Sequence, residues 1–184
     1  MKPKNAMPLR ILLIQDNADD RVAFERALKK GNIDRSLSVC KRAEEAESRL
    51  TNANDTFDLV VTEFDLPGMS GLEFFMKVRR QKNLPPFVIL TGSGSEKIAV
   101  KALQAGIYDY IIKDSQGEYL DLLPLVLLAA VQRFTHERLH QNTEDALLES
   151  KNKLEQIIQE RTAELTLSLI HISEPTRPEL VSRM

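Results

Sequence analysis

Asp58-Leu59-Val60-Val61-Thr62-Glu63-Phe64-Asp65-Leu66-Pro67-Gly68-Met69-Ser70-Gly71 is the stretch around which the chain is organised. A near-continuous apolar run that ends in Pro-Gly predicts a strand buried on both faces, closed by a tight turn that presents its last residues at a sheet edge. Glu63 stands at that end. A second apolar run, Ile11 to Ile14, leads into the acidic cluster Asp16 to Asp20, so two strand ends are expected to bring carboxylates together at the switch point of a parallel sheet. Such a place suits a cation and a phosphate.

Upstream, Leu9 to Ile14 reads as the first strand. Asp19-Asp20, then Val22, Phe24, Ala27 and Leu28, then Lys29-Lys30-Gly31 read as a helix with acids at its start, bases at its end and a left-handed glycine cap. Leu37 to Cys40 is a short strand, and Ala43 to Leu50 carries a helical charge pattern closed by the loop Asn52 to Asp55. Downstream, Gly71 to Arg80 reads as a helix with Leu72, Phe75, Met76 and Val78 on its apolar side. Pro85-Pro86 leads into a strand from Phe87 to Thr91, Gly92 to Ser95 is a flexible loop, and Glu96 to Ala105 is a helix stopped by Gly106. A fifth strand, Tyr108 to Ile112, ends at Lys113-Asp114. Five alternating strands and helices predict a doubly wound parallel sheet of the α/β class.

The last helix, from about Glu118, has no stop signal before about Leu165, and its one proline, Pro124, is tolerable in a first turn. At 1.5 Å per residue it would reach roughly 70 Å, and a helix that long is expected to extend past the globule. Its later apolar residues include Leu147, Leu154, Ile158 and Leu165, with heptad spacing from Leu147 to Leu154 and from Ile158 to Leu165. Lys151 and Arg161 interrupt that seam. The pattern predicts a coiled-coil homodimer, with a solvated single helix as the alternative.

Composition narrows the partners. The 184 residues are 42% hydrophobic and 28% charged, enough for one globular domain with an appendage, and 25 basic against 27 acidic side chains leave a net charge of -2. That balance offers no field for nucleic acid and no polybasic patch for a membrane, so the expected partners are proteins. The longest apolar run, Leu122 to Val131, is too short to span a bilayer, and Gln15 and Asp16 stop the N-terminal run before it resembles a signal peptide. With a single cysteine, Cys40, placed in an apolar run, these features predict a cytoplasmic protein.

Ile11-Leu12-Leu13-Ile14-Gln15-Asp16-Asn17, the turn from Glu63 to Gly71, Val88-Ile89-Leu90-Thr91-Gly92 and Tyr110-Ile111-Ile112-Lys113 together resemble the receiver domain of bacterial response regulators, over about residues 8 to 132. The resemblance implies a flavodoxin-like five-stranded sheet of order 2-1-3-4-5. It also implies a signalling module, not an enzyme, that takes a phosphoryl group from a histidine kinase or phosphotransfer protein. In such a domain Glu63 matches the phosphoacceptor, Thr91 and Lys113 match the residues that bind phosphoryl oxygens, and Tyr110 matches the switch aromatic. Mg²⁺ would be held by Asp16, Glu63 and the backbone carbonyl of Asp65.

Two departures stand out. The family's acceptor is Asp; Glu63 is longer by about 1.5 Å, and near-attack geometry is sensitive to displacements of about 1 Å. Gln15 stands where the first of two acids is usual, so Mg²⁺ affinity is expected to be low. Glu63 is then a lost acceptor, a partial imitation of the phosphorylated state or a working acceptor, and imitation is limited because a carboxylate carries less charge than a phosphoryl group. Asp19 and Asp20 are assigned to the start of the first helix as dipole partners, not ligands. His136 and His140 read as part of a solvated helix face. An Mg²⁺-dependent phosphohydrolase using Glu63 and Asp65, and a dimerising scaffold without a ligand, are the competing functions.

Residues 133 to 166 are expected to form a helical linker to an output domain. Glu160-Arg161-Thr162-Ala163-Glu164-Leu165 resembles the helix that precedes the catalytic core of hybrid sensor histidine kinases, and a sensory or cyclase domain is the alternative output. Leu167 to Arg177 resembles a translated transposase sequencing adapter, so residues 167 to 184 are expected to be a non-native tail.

Overall fold

The computed structural model describes residues 7–81, 83–92 and 96–172. Its elements alternate as read from the sequence: β1 (Leu9–Ile14), α1 (Ala18–Lys30), β2 (Arg35–Cys40), α2 (Ala43–Thr51), β3 (Leu59–Glu63), α3 (Gly71–Val78), β4 (Phe87–Thr91), α4 (Glu96–Ala105), β5 (Asp109–Ile112) and α5 (Tyr119–Ile172). The strands pair in parallel in the order β2-β1-β3-β4-β5, the flavodoxin-like arrangement. The order reverses between β1 and β3, which pair Ile14 with Thr62, so the carboxyl ends of these two strands flank the switch point.

Strand alternation divides the core in two. Ile11, Leu13, Leu59, Val61, Val88, Leu90 and Ile111 face α1 and the first turns of α5, where Phe24, Leu28, Leu123 and Leu127 complete one layer. Leu12, Ile14, Val60, Phe87 and Ile89 face α2, α3 and α4 and pack on Ala46, Phe74, Phe75 and Ala102. Every residue of β3 and β4 is buried, as near-continuous apolar strands in the middle of a parallel sheet require.

Gly31 does not make the left-handed cap expected of it. Its φ is -73°, and the left-handed conformation falls to Asn32, at φ 60°. The glycine answers a packing need: a Cβ there would lie 2.5 Å from the Cβ of Pro124, so α1 and α5 approach too closely for any side chain. Pro124 is correspondingly the sixth residue of α5, past the first turn in which the sequence placed it.

The chain divides into two compact units between His136 and Glu137. In the second unit α5 continues to Ile172, seven residues beyond the end expected at Leu165 and into the stretch read as a non-native tail; residues 173 to 184 of that stretch lie outside the described residues. Leu139, Leu147, Leu148, Leu154, Ile157, Ile158 and Leu165 are all exposed there. So are its ion pairs, His140 with Glu144 and Lys151 with Glu155, at the i,i+4 spacing that supports an isolated helix.

Candidate functional site

Four strands and the start of α1 bring their ends to the switch point. Gln15 directly follows β1 and is 2% exposed, and Glu63 closes β3 at 6%. Thr91 closes β4, and the N–H of Lys113, just past β5, donates to the Thr91 carbonyl at 2.8 Å. Asn17 caps α1, its Oδ1 accepting from the N–H groups of Asp19 (2.8 Å) and Asp20 (3.4 Å). Asp20 is thereby the third helical residue, and because helical side chains lean toward the N-terminus its carboxylate hangs back over the strand ends.

Gly71 makes room for this corner. Its N–H donates to Phe64 O at 2.8 Å, which turns the chain from β3 into α3. A Cβ on Gly71 would run into the Glu63 carbonyl and lie 3.0 Å from the Thr62 side chain. Only glycine lets the start of α3 come so near the strand end that carries Glu63.

The side chains then close a ring of alternating donors and acceptors. Gln15 Nε2 donates to Glu63 Oε2 at 2.8 Å and, more weakly, to Asp20 Oδ2 at 3.4 Å. Lys113 Nζ contacts the same two oxygens, Asp20 Oδ2 at 2.6 Å and Glu63 Oε2 in a close ion pair. Gln15 Oε1 accepts the Asn17 N–H at 3.0 Å, which fixes which end of the amide faces the carboxylates. Burial raises the Glu63 pKa, and the opposing contacts with Lys113 and Gln15 do not fully offset it. Burial works against the Lys113 ammonium too, but its hydrogen bonds with Asp20 and Glu63 outweigh that and raise its pKa, so the lysine is charged.

Of the residues singled out in the sequence, Glu63 and Lys113 meet directly, and Thr91 is buried at the neighbouring strand end. Tyr110, in β5, is half-buried and packs against the α3 and α4 side of the core. Asp16 is exposed; its backbone carbonyl accepts from Arg21 at 2.8 Å, and its carboxylate has no hydrogen bond or ion pair among the described residues. Asp65 is exposed in the turn, where it bridges to Ser70. The reading of Asp20 as a dipole partner alone needs correction: it lies in the first turn of α1 as expected, yet its carboxylate is a member of the site.

A divalent cation fits this donor set poorly. Mg²⁺ asks for oxygen ligands, whereas the group from β1 that points at Glu63 is an amide N–H₂. Among the described residues no group of three or more Asp, Glu, His or Cys side chains is placed to hold a metal.

Similarity to known proteins agrees with this fold. The response regulator receiver domain family matches residues 11–122. The two-component response regulator PhoP of Pseudomonas aeruginosa is 29% identical over 159 residues, covering 86% of this chain and 67% of that protein. Other curated relatives are covered less far, down to 16% of their length. Among solved structures, the signal receiver domain of an HD domain-containing protein from Pseudomonas fluorescens Pf-5 superposes with a TM-score of 0.61 at 25% identity, over 74% of this chain and 96% of that one. The Mn²⁺-bound form of response regulator Rcp1 gives 0.59 at 22% identity, over 65% and 91%. With a family match over more than half its length and this strand order, the chain belongs to the response regulator receiver family.

Proposed function

We propose that the chain is a receiver-type signalling module of a phosphorelay in which Glu63 fills the acceptor position without serving as a stable phosphoryl acceptor. The observation that carries the reading is the double engagement of Glu63 Oε2 by Gln15 and Lys113. An in-line nucleophile must be free to approach phosphorus at about 3 to 3.5 Å; this oxygen is held by an amide and an ammonium, on a side chain one methylene longer than Asp. Thr91 and Lys113 keep the places of the phosphoryl-binding pair and Tyr110 that of the switch aromatic. Receiver domains in general bind Mg²⁺. The ligands that the resemblance implies, Asp16, Glu63 and the Asp65 carbonyl, would hold it at most weakly here, because Gln15 supplies no acid and Glu63 is already engaged by Gln15 and Lys113.

On this reading the partners are a histidine kinase or phosphotransfer protein on one side and an output domain on the other, reached through α5. No helix among the described residues is long and apolar enough to cross a membrane, and we assign the module to the cytoplasm. The exposed Leu147, Leu154, Ile158 and Leu165 would be covered by a second copy, since an isolated helix this polar is marginal in water. Sedimentation tests that part: the chain ending at Leu165 should dimerise with concentration and the chain ending at Arg133 should be a folded monomer. A monomeric longer chain would remove the coiled coil. Intact mass spectrometry after incubation with acetyl phosphate and Mg²⁺ tests the acceptor: the parent should gain no phosphoryl group.

A further inference from the structure

The ring at the switch point has a property that the lost acceptor alone does not require. Two negative side chains, Glu63 and Asp20, stand close enough for the same two nitrogens to reach both, Gln15 Nε2 and Lys113 Nζ. Glu63 is buried and the Asp20 side chain is 35% exposed, so the two carboxylates are only partly screened by water and repel unless one is protonated or a cation lies between them. Here the space between them is taken by the ammonium of Lys113 and the positive end of the Gln15 amide dipole. The amide is not free to turn its oxygen inward, because that oxygen is committed to the Asn17 N–H.

We infer that Gln15 and Lys113 together take the place of a divalent cation in this receiver, and that Gln15 is the residue that makes the site metal-independent. Charge explains why one residue decides it. Gln15, Asp20, Glu63 and Lys113 carry one formal negative charge in excess, spread over oxygens that already have donors. A carboxylate at position 15 would add a second negative charge and remove both amide donors at once. Three acid groups would then face a single ammonium, which is the oxygen-rich, charge-deficient setting in which Mg²⁺ or Mn²⁺ binds. The parent offers such an ion little, and its folded state should not depend on one.

The isosteric substitution Gln15→Glu tests this without changing shape. The inference rests on Glu63 occupying the acceptor position, but its test uses no phosphoryl donor, so it stands or falls separately from the labelling experiment. Mn²⁺ occupancy is read by electron paramagnetic resonance and thermal unfolding is followed by circular dichroism, in chelator and in 10 mM Mg²⁺. The parent should melt at the same temperature in both. Gln15→Glu should melt lower in chelator, recover in Mg²⁺ and bind Mn²⁺ at least about tenfold more tightly than the parent. Gln15→Leu, which removes the donors without adding an acid, should lose stability with no recovery in Mg²⁺. If Gln15→Glu does not fold, Lys113→Met decides, because removing the ammonium should likewise make the melting temperature rise with Mg²⁺. A parent that loses stability in chelator, a Gln15→Glu protein that binds Mn²⁺ no better than the parent, or a folded Lys113→Met protein indifferent to Mg²⁺ would overturn the inference.

Discussion

The two ends of the parallel strands carry similar charges in different settings. At the amino ends, Arg10 near the start of β1 and Asp58 just before β3 form a two-pronged pair, with Arg10 Nη2 2.7 Å from Asp58 Oδ1 and Nε 3.1 Å from Oδ2. Their side chains remain 46% and 33% exposed. At the carboxyl ends, Lys113 and Glu63 pair at 14% and 8%. Water weakens the first pair and is largely kept from the second. Geometry this good at the amino ends stabilises little, whereas at the carboxyl ends each charge depends on the others staying in place.

The largest effect that would break this contrast belongs to Lys113. Lys113→Met leaves Glu63 and Asp20 facing each other without their cation and should cost about 3 kcal/mol by urea unfolding in the absence of divalent ions. A loss no greater than that of the Arg10 substitution would mean that burial does not distinguish the two ends. Gly31→Ala comes next, because the new methyl meets the Pro124 ring and forces α1 and α5 apart; about 2 kcal/mol is expected from overpacking. An unchanged urea midpoint would show that this helix contact yields freely. Arg10→Ala should cost only about 0.5 kcal/mol.

The pH dependence sharpens the same contrast. The side-chain hydrogen bond from Arg10 holds the Asp58 carboxyl below the usual carboxylate range, so its contribution is present above the unfolded pKa and fades as pH falls through the folded one. Arg10→Ala should therefore flatten the acid limb of the stability curve below about pH 4. Lys113 runs in the opposite direction. Its folded pKa is raised, with the hydrogen bonds it donates to Asp20 and Glu63 overcoming burial, so its contribution is complete below the unfolded value and is lost as pH rises through the folded one, above about pH 10.4. Loss of the alkaline limb in Arg10→Ala, or of the acid limb alone in Lys113→Met, would reverse the assignment.

The fold was readable because its signals were local. An apolar run closed by Pro-Gly, strands and helices in alternation and turn residues between them predict every element near its observed bounds except the far end of α5. The site was readable only where a residue closes a strand, as Glu63 and Thr91 do, or follows one, as Lys113 does. Asp20 was missed because its role depends on Asn17 being the cap, which sets Asp20 at the third helical position with its carboxylate tipped back over β1. An Asn three residues before an acid, just after a buried strand, was the available signal. In the sequence Gln15 stands only as a missing acid; that it supplies a donor follows from the Asn17 N–H holding its oxygen, a contact that no spacing rule conveys. The reason for Gly31 was equally hidden, since the atom it makes room for lies on Pro124, far along the chain. The reach of α5 past Leu165 had no stop signal to limit it, and propensity alone does not say where a helix ends.

One measurement bears on the central claim most directly: intact mass spectrometry of the parent and of Glu63→Asp side by side, incubated with acetyl phosphate and Mg²⁺ and then reduced to trap any acyl phosphate. Shortening the side chain by one methylene withdraws the carboxylate from Gln15 and Lys113 and restores the reach of an aspartyl nucleophile. The parent should give no trapped product, and a measurable fraction of Glu63→Asp should carry it at residue 63. Robust trapping at Glu63 in the parent would contradict it.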